Sequence, residues 1–255
     1  MITSPDPHIV YQVENGVFVV QINRPDKKNA LTRSMYAALA TGINAADENS
    51  GIRAILLRGV EGCFTSGNDV NDFVNVSDTS TAERPSVQFM KAISGAHKPI
   101  IAAVDGMAIG IGTTMLLHCD LIYASEDAYL QLPFTNLGLC PEAGSSLLLP
   151  QIAGHQRASE LLLLGERFSA QKAQAYGIVN EVVPAADLIQ HAMSKALHLA
   201  SLPADAVQTS KALIKRNQAT PMNDTIKAEL LQFSRLLQSP EAQAIFQAFL
   251  NKKKA

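Results

Sequence analysis

Two apolar runs constrain this chain more than anything else in it. Ala54-Ile55-Leu56-Leu57 and Ile100-Ile101-Ala102-Ala103-Val104 carry no polar residue at alternate positions, so strands built from them must be covered on both faces. Each run is followed by a glycine-bearing turn. The first reaches Ser66-Gly67-Asn68-Asp69 and the second reaches Gly110-Ile111-Gly112. Doubly covered strands need helices on either side, and the alternation of short strands, glycine turns and helices is α/β in character.

The rest of the chain reads consistently with that class. Val10 to Val13 and Val17 to Ile22 flank Glu14-Asn15-Gly16, the strongest short signal for a hairpin. Thr32 can cap a helix whose Met35, Leu39 and Ile43 share one face. Residues 75–86 are polar and read as a mobile loop, and Val87 to Ser94 reads as a helix. Another helix is expected from Thr113 to His118, followed by strands at Leu121 to Ala124 and Tyr129 to Leu132. Leu147 to Pro150 and Arg157 to Leu164 read as helices, and Ser169 caps a further one that ends at Gly177. Past Asp187 the strand signals stop. Thr220-Pro221 and Ser239-Pro240 each place a capping residue before a proline suited to a first helical turn. Leu230, Phe233, Leu237, Phe246 and Phe249 must pack on a neighbouring subunit or back over the core. The expected division is 1–195 for the core and 196–255 for a helical segment.

Composition excludes several function classes. A formal charge of −2 over 255 residues leaves no basic surplus for nucleic acid. The three cysteines, Cys63, Cys119 and Cys140, are widely spaced and form neither a disulfide framework nor a zinc set, so a reducing, cytoplasmic setting is expected. The N-terminal residues lack a basic start followed by an apolar run. Pro99 to Leu117 is apolar but holds Asp105, Gly106, Gly110 and Gly112, which suits a buried core and not a membrane span. No metal ligand set stands out.

The chemistry concentrates between Pro133 and Ser146. Glu142 is the lone carboxylate of a segment of apolar and small residues bounded by prolines and glycines. Burial would raise its pKa and suit it to general-base work near neutral pH. Alternatively it is an acidic residue at the start of a helix that begins near Gly144, favoured there by the dipole. The two glycine turns could offer backbone N–H groups to a single oxygen, forming an oxyanion hole, with each donor worth about 3 kcal/mol of transition-state stabilisation. They could equally be ordinary strand-to-helix turns. The second turn is a weak match to a dinucleotide fingerprint, because Met115 stands where the third glycine would fall.

Five segments bear on the choice: Asn23-Arg24-Pro25-x-Lys27-Lys28-Asn29-Ala30-Leu31, Phe64-Thr65-Ser66-Gly67-Asn68-Asp69, Lys98 to Gly106, Cys119-Asp120-Leu121, and Ser169-Ala170-Gln171 through Tyr176-Gly177-Ile178-Val179. Through them the chain resembles the enoyl-CoA hydratase/isomerase (crotonase) superfamily over nearly its whole length. The resemblance implies a ClpP/crotonase-like fold, a spiral of ββα units followed by a C-terminal helical trimerisation segment, and assembly as a homotrimer or dimer of trimers. It implies an acyl-CoA thioester as substrate and no separate cofactor, since coenzyme A is part of that substrate.

By the same resemblance the oxyanion donors are the backbone N–H groups of Asn68 and Ile111. Lys28, Ala30, Ser66, Gly67, Asn68, Asp69 and Val70 would hold the substrate, together with Thr114 and Phe134. Those last two occupy the positions of the hydratases' two glutamates, and neither can activate water. Pro141-Glu142-Ala143-Gly144-Ser145-Ser146 resembles instead the Pro-Glu-Gly-x-Ser-Ser segment of the Δ3,Δ2-enoyl-CoA isomerase branch. Isomerisation in β-oxidation, with Glu142 as base, is therefore the implied activity. Hydration, thioester hydrolysis or decarboxylation within the family, or a non-catalytic acyl-CoA-binding subunit, are the alternatives.

Overall fold

The computed structural model describes residues 2–71 and 84–252. A hairpin opens the chain, with β1 (Ile9–Glu14) antiparallel to β2 (Val17–Ile22). Asn15 and Gly16 both have positive φ, 46° and 81°, as a two-residue turn matched to strand twist requires. α1 (Arg33–Glu48) follows, and the Thr32 hydroxyl accepts from the Met35 amide. Next come β3 (Ala54–Arg58), β4 (Cys63–Thr65), α2 (Pro85–Gly95), β5 (Ile100–Val104) and β6 (Met107–Ile109). The expected loop at 75–86 lies mostly outside the described residues, and its end, Pro85 and Ser86, already belongs to α2.

The central layer is a six-stranded sheet in the order β1-β2-β3-β5-β7-β10, where β7 is Leu121–Ser125 and β10 is Glu181–Val183. It is parallel from β2 onward. The apolar runs are uninterrupted because the sheet is covered twice. Phe18, Val20, Ile55, Leu57, Ile100 and Ala102 face α1 and α2, while Val17, Val19, Leu56, Ile101 and Ala103 face α7 (Leu188–Ser201) through Leu188, Ala192 and Ala196. The boundary expected at residue 195 thus falls inside a helix that seals the central sheet.

A second, four-stranded sheet, β4-β6-β8-β9, uses Tyr129–Gln131 and Arg167–Ser169 as β8 and β9. Sequence reading marks no strand at 63–65 or 107–109. They are strands of three residues, too short and too close to glycine for local propensity to show, and they exist by pairing with each other in parallel register. A second difference follows. The helix expected at 113–118 begins at Ile111, as α3 (Ile111–Thr114), and tightens into a 3₁₀ turn over Met115–His118.

The remaining elements are helical. α4 is Ser145–Ala153, α5 His155–Leu164 and α6 Ala170–Ala175, the last capped by the Ser169 hydroxyl. After α7 come α8 (Ala204–Lys215), α9 (Ala219–Leu237) and α10 (Pro240–Lys252). Ser239 caps α10 by accepting from the Ala242 amide, but Thr220 does not cap α9. That helix starts at Ala219 behind Gln218, with Pro221 inside its first turn, where a missing N–H costs nothing. Leu230, Phe233, Leu237 and Phe246 pack back onto the main core, and Phe249 lies outside the described side chains. Among the described residues no helix is long and apolar enough to cross a membrane.

Candidate active site

Parallel pairing of β4 with β6 brings the two glycine turns together, since their C-terminal ends leave the small sheet side by side, about 4.8 Å apart by strand spacing. Both turns depend on glycine. Gly67 has φ 89°, and a Cβ there would stand 2.7 Å from the Ile109 carbonyl oxygen on the other turn. Gly110, at φ 58° and ψ −119°, occupies a backbone region that side chains exclude.

The donors follow from this geometry. A parallel bridge joins Leu31 to Asn68, with the Leu31 amide donating to Gly67 and the Asp69 amide donating to Leu31. The Asn68 N–H is thereby left on the opposite edge. Ile111 is the first residue of α3, whose opening amides have no intrahelical acceptor. Among the described residues neither N–H donates to protein, and both residues line one cavity of about 750 Å³. The Tyr36 hydroxyl donates to the Asn68 side-chain oxygen and fixes that turn. Ile111 is buried in the core, so its branched side chain does not obstruct the turn.

Lys28, Ala30, Ser66, Gly67, Asp69, Val70 and Phe134 also line this cavity. Sequence reading missed Arg24, Tyr129, Arg167, Leu139, Phe233 and Phe246, which line it as well. Arg24 pairs with Asp69 at 2.8 Å. Burial works against the charge of Asp69, but bonds from Arg24 and Asn71 more than offset it and hold the carboxyl below its usual range. Lys27, Lys28 and Arg167 add positive charge to the rim. The loop bearing Lys28 is pinned by Asn29, which is wholly buried; its amide donates to the carbonyls of Ile22, Cys63 and Phe64, and its oxygen accepts from the Arg24 amide.

Glu142 and Thr114 lie behind the lining and not in it. The glutamate is 5% exposed, and its Oε1 accepts from the Thr114 hydroxyl at 2.5 Å. Thr114 stands three residues beyond Ile111 in α3, and Leu139 of the lining precedes Glu142 by three, so the segments that carry both residues reach the cavity. Burial is the main cause that raises the Glu142 pKa to about 8; the Thr114 bond opposes it and nearby Glu229 adds to it. His118 donates from Nε2 to the Ala143 carbonyl at 2.7 Å, and burial lowers its pKa to about 4, which keeps the ring neutral. Burial and Glu229 push the Cys140 thiol up, so it offers no thiolate.

Paired amide donors over one cavity, a basic rim and a buried carboxyl of high proton affinity define an acyl-thioester enzyme of the crotonase type. The sequence profile of the enoyl-CoA hydratase/isomerase family matches residues 12–255, and the chain belongs to that family. It is 33% identical over 228 residues to the 1,2-epoxyphenylacetyl-CoA isomerase of Escherichia coli, with 87% of each chain covered. It is 30% identical over 250 residues to rat enoyl-CoA delta isomerase 2, covering 96% of this chain and 64% of that one. The 2,3-dehydroadipyl-CoA hydratase of E. coli is 29% identical, with 96% of each covered. Among solved structures, Pseudomonas aeruginosa OdaA superposes with a TM-score of 0.92 at 42% identity, covering 96% of this chain and 99% of that one.

Proposed function

We propose that this acyl-CoA enzyme is a Δ3,Δ2-enoyl-CoA isomerase of fatty-acid metabolism, working by a one-carboxylate proton shuttle in a homotrimer or dimer of trimers. The observation that carries the reading is Glu142, buried and raised to about 8, with a threonine and a phenylalanine where a second acid would be needed. The C2 protons of a 3-enoyl thioester lie between a carbonyl and a double bond, so the carbanion is delocalised over both. Glu142 removes one of these protons. Charge gathers on the thioester oxygen, which the amides of Asn68 and Ile111 stabilise. The glutamic acid then returns the proton at C4. No water is consumed and no second acid is needed.

Glu229, the other carboxylate beside the turn, does not supply the hydratase chemistry. Its oxygens are held by the Gly144 and Ser146 amides and the Ser146 hydroxyl, and it is not among the residues that line the cavity. Turnover of 3-trans- and 3-cis-hexenoyl-CoA, measured beside hydration of crotonyl-CoA, tests the proposal. Fast isomerisation with negligible hydration is expected. Glu142→Gln should lose about 10²- to 10⁴-fold in isomerisation while still binding acyl-CoA, and near-normal turnover in that variant would remove Glu142 from the mechanism.

A further inference from the structure

Glu229 is a buried charge that the proton shuttle does not use, yet it grips the turn carrying the base. It projects from α9 and is 7% exposed. Its Oε2 accepts from the Gly144 amide at 2.6 Å, and its Oε1 accepts from the Ser146 amide at 3.0 Å and the Ser146 hydroxyl at 2.5 Å. These are the opening donors of α4, which have no intrahelical acceptor. Gly144, at the cap position, has no side chain to satisfy them.

The turn needs an external hold. Ala143 and Gly144 are successive left-handed residues, at φ 56° and 74°, a conformation that alanine disfavours. Met222 and Ile226 share a face of α9 with Glu229 at spacings of seven and three. Both pack where Gly144 would otherwise have a side chain; a Cβ there would lie 2.3 Å from the Met222 sulfur. From the opposite side His118 holds the Ala143 carbonyl.

Resting on the reading of Glu142 as base, we propose that Glu229 is a positioning residue of the reaction. Its carboxylate, by capping Gly144 and Ser146, fixes the 142–146 turn and aims Glu142 at the substrate, so that the C-terminal helix takes part in catalysis without touching the substrate. It is also a negative charge beside the base. The other groups facing Glu142 are Thr114, the neutral His118, the Cys140 thiol and, behind His118, Lys215, whose Nζ donates to the His118 carbonyl at 3.1 Å. Arg235 lies on α9 near Cys140. None of these is an anion at neutral pH, so removing the charge of Glu229 should make Glu142 easier to ionise.

The test uses the full chain and three variants. In Glu229→Gln, kcat on 3-hexenoyl-CoA should fall ten- to a hundredfold with KM within threefold. The rising limb of its pH profile should move about one unit toward lower pH. Ser146→Ala is milder: it keeps the carboxylate and removes one of its donors. Its kcat should fall about threefold and its limb should move slightly upward, so this variant carries the test if Glu229→Gln does not fold. Wild-type kinetics in both variants, or a limb that stays in place in each, overturns the proposal. Glu142→Gln and amide hydrogen exchange separate this failure from failure of the base. If the wild type does not isomerise at all, the functional reading falls. The clamp is then read from exchange at residues 144–148, which Glu229→Gln should speed at least tenfold while the central strands stay protected. Unchanged exchange there, or equal loss throughout the core, overturns the clamp itself.

Discussion

The Glu142 carboxyl gives this molecule a distinctive response to pH. Glu142 holds its proton in the fold up to about pH 8 because burial disfavours its charge, whereas an unfolded glutamate releases it near the ordinary carboxylate value. Between those two limits this group binds more protons in the native state than in the unfolded one, so its contribution to stability falls as pH rises from roughly 4.5 to 8, while His118, lowered to about 4 by burial, acts in the opposite sense below about 6.5. Below the Glu142 window the carboxyl is protonated in both states; above it, in neither, and its slope vanishes. Glu142→Gln carries no such term. Its melting temperature relative to wild type should therefore climb from pH 5 to pH 8, as thermal unfolding at several pH values would show. Parallel curves would mean that the raised proton affinity is absent, and with it the physical ground for choosing this base. Isomerase activity should run the opposite way and increase through the same window, since only the ionised form can take a proton. Stability and turnover are opposed at one residue, as expected of a charge kept where it is useful.

The elements that make the site are held by contacts between distant segments, and Asn29 ties the most of them together. It is left-handed at φ 54° and bonds the end of β2, the end of β4 and the Arg24 amide from a wholly buried position. Asn29→Ala leaves these groups without partners, at about 1–3 kcal/mol for a buried unsatisfied group, and puts an alanine in a conformation it disfavours. A loss of about 3 kcal/mol in denaturant unfolding is expected, with weaker acyl-CoA binding because the Lys28 loop loosens; a loss below 1 kcal/mol would contradict this account. Local chemistry of this kind divides what can be read in the sequence from what cannot. The Asn15-Gly16 turn, the caps at Thr32, Ser169 and Ser239, and the doubly covered strands β3 and β5 are legible, because a few neighbouring residues determine each. The burial of Glu142 is legible too, from its place as a lone carboxylate among apolar residues. By contrast β4 and β6 are too short to show in the sequence and form by pairing within the small sheet, β4 with β6 and β6 also with β8. Glu229 looks like any polar residue of an amphipathic helix until α9 is laid on the 142–146 turn, and Arg167 and Phe233 reach the cavity only through the tertiary fold.

At the scale of the whole molecule the C-terminal helices have two faces and two tasks. Their inner face closes the cavity, with Phe233 and Phe246 in its lining and Glu229 on the 142–146 turn. The outer surface of the helical half remains apolar in places where a lone chain should be polar. Leu213 and Ile214 of α8 are 59% and 78% exposed, Leu163 and Leu164 of α5 are more than half exposed, and Leu231 of α9 is 69% exposed. Scattered exposed leucines are ordinary, but adjacent apolar residues at the end of one helix mark a surface that another chain can cover. Under the trimeric assembly proposed above, α8 is the test case, because neither Leu213 nor Ile214 lines the cavity. Sedimentation equilibrium should give three or six times the mass of the chain. Ile214→Glu would place a charge on that apolar surface, where burial without a partner is costly, and should dissociate the assembly at micromolar concentration while the far-ultraviolet spectrum stays native. A monomeric wild type would remove the trimer. An assembled wild type whose mass is unaffected by Ile214→Glu would move the interface away from α8.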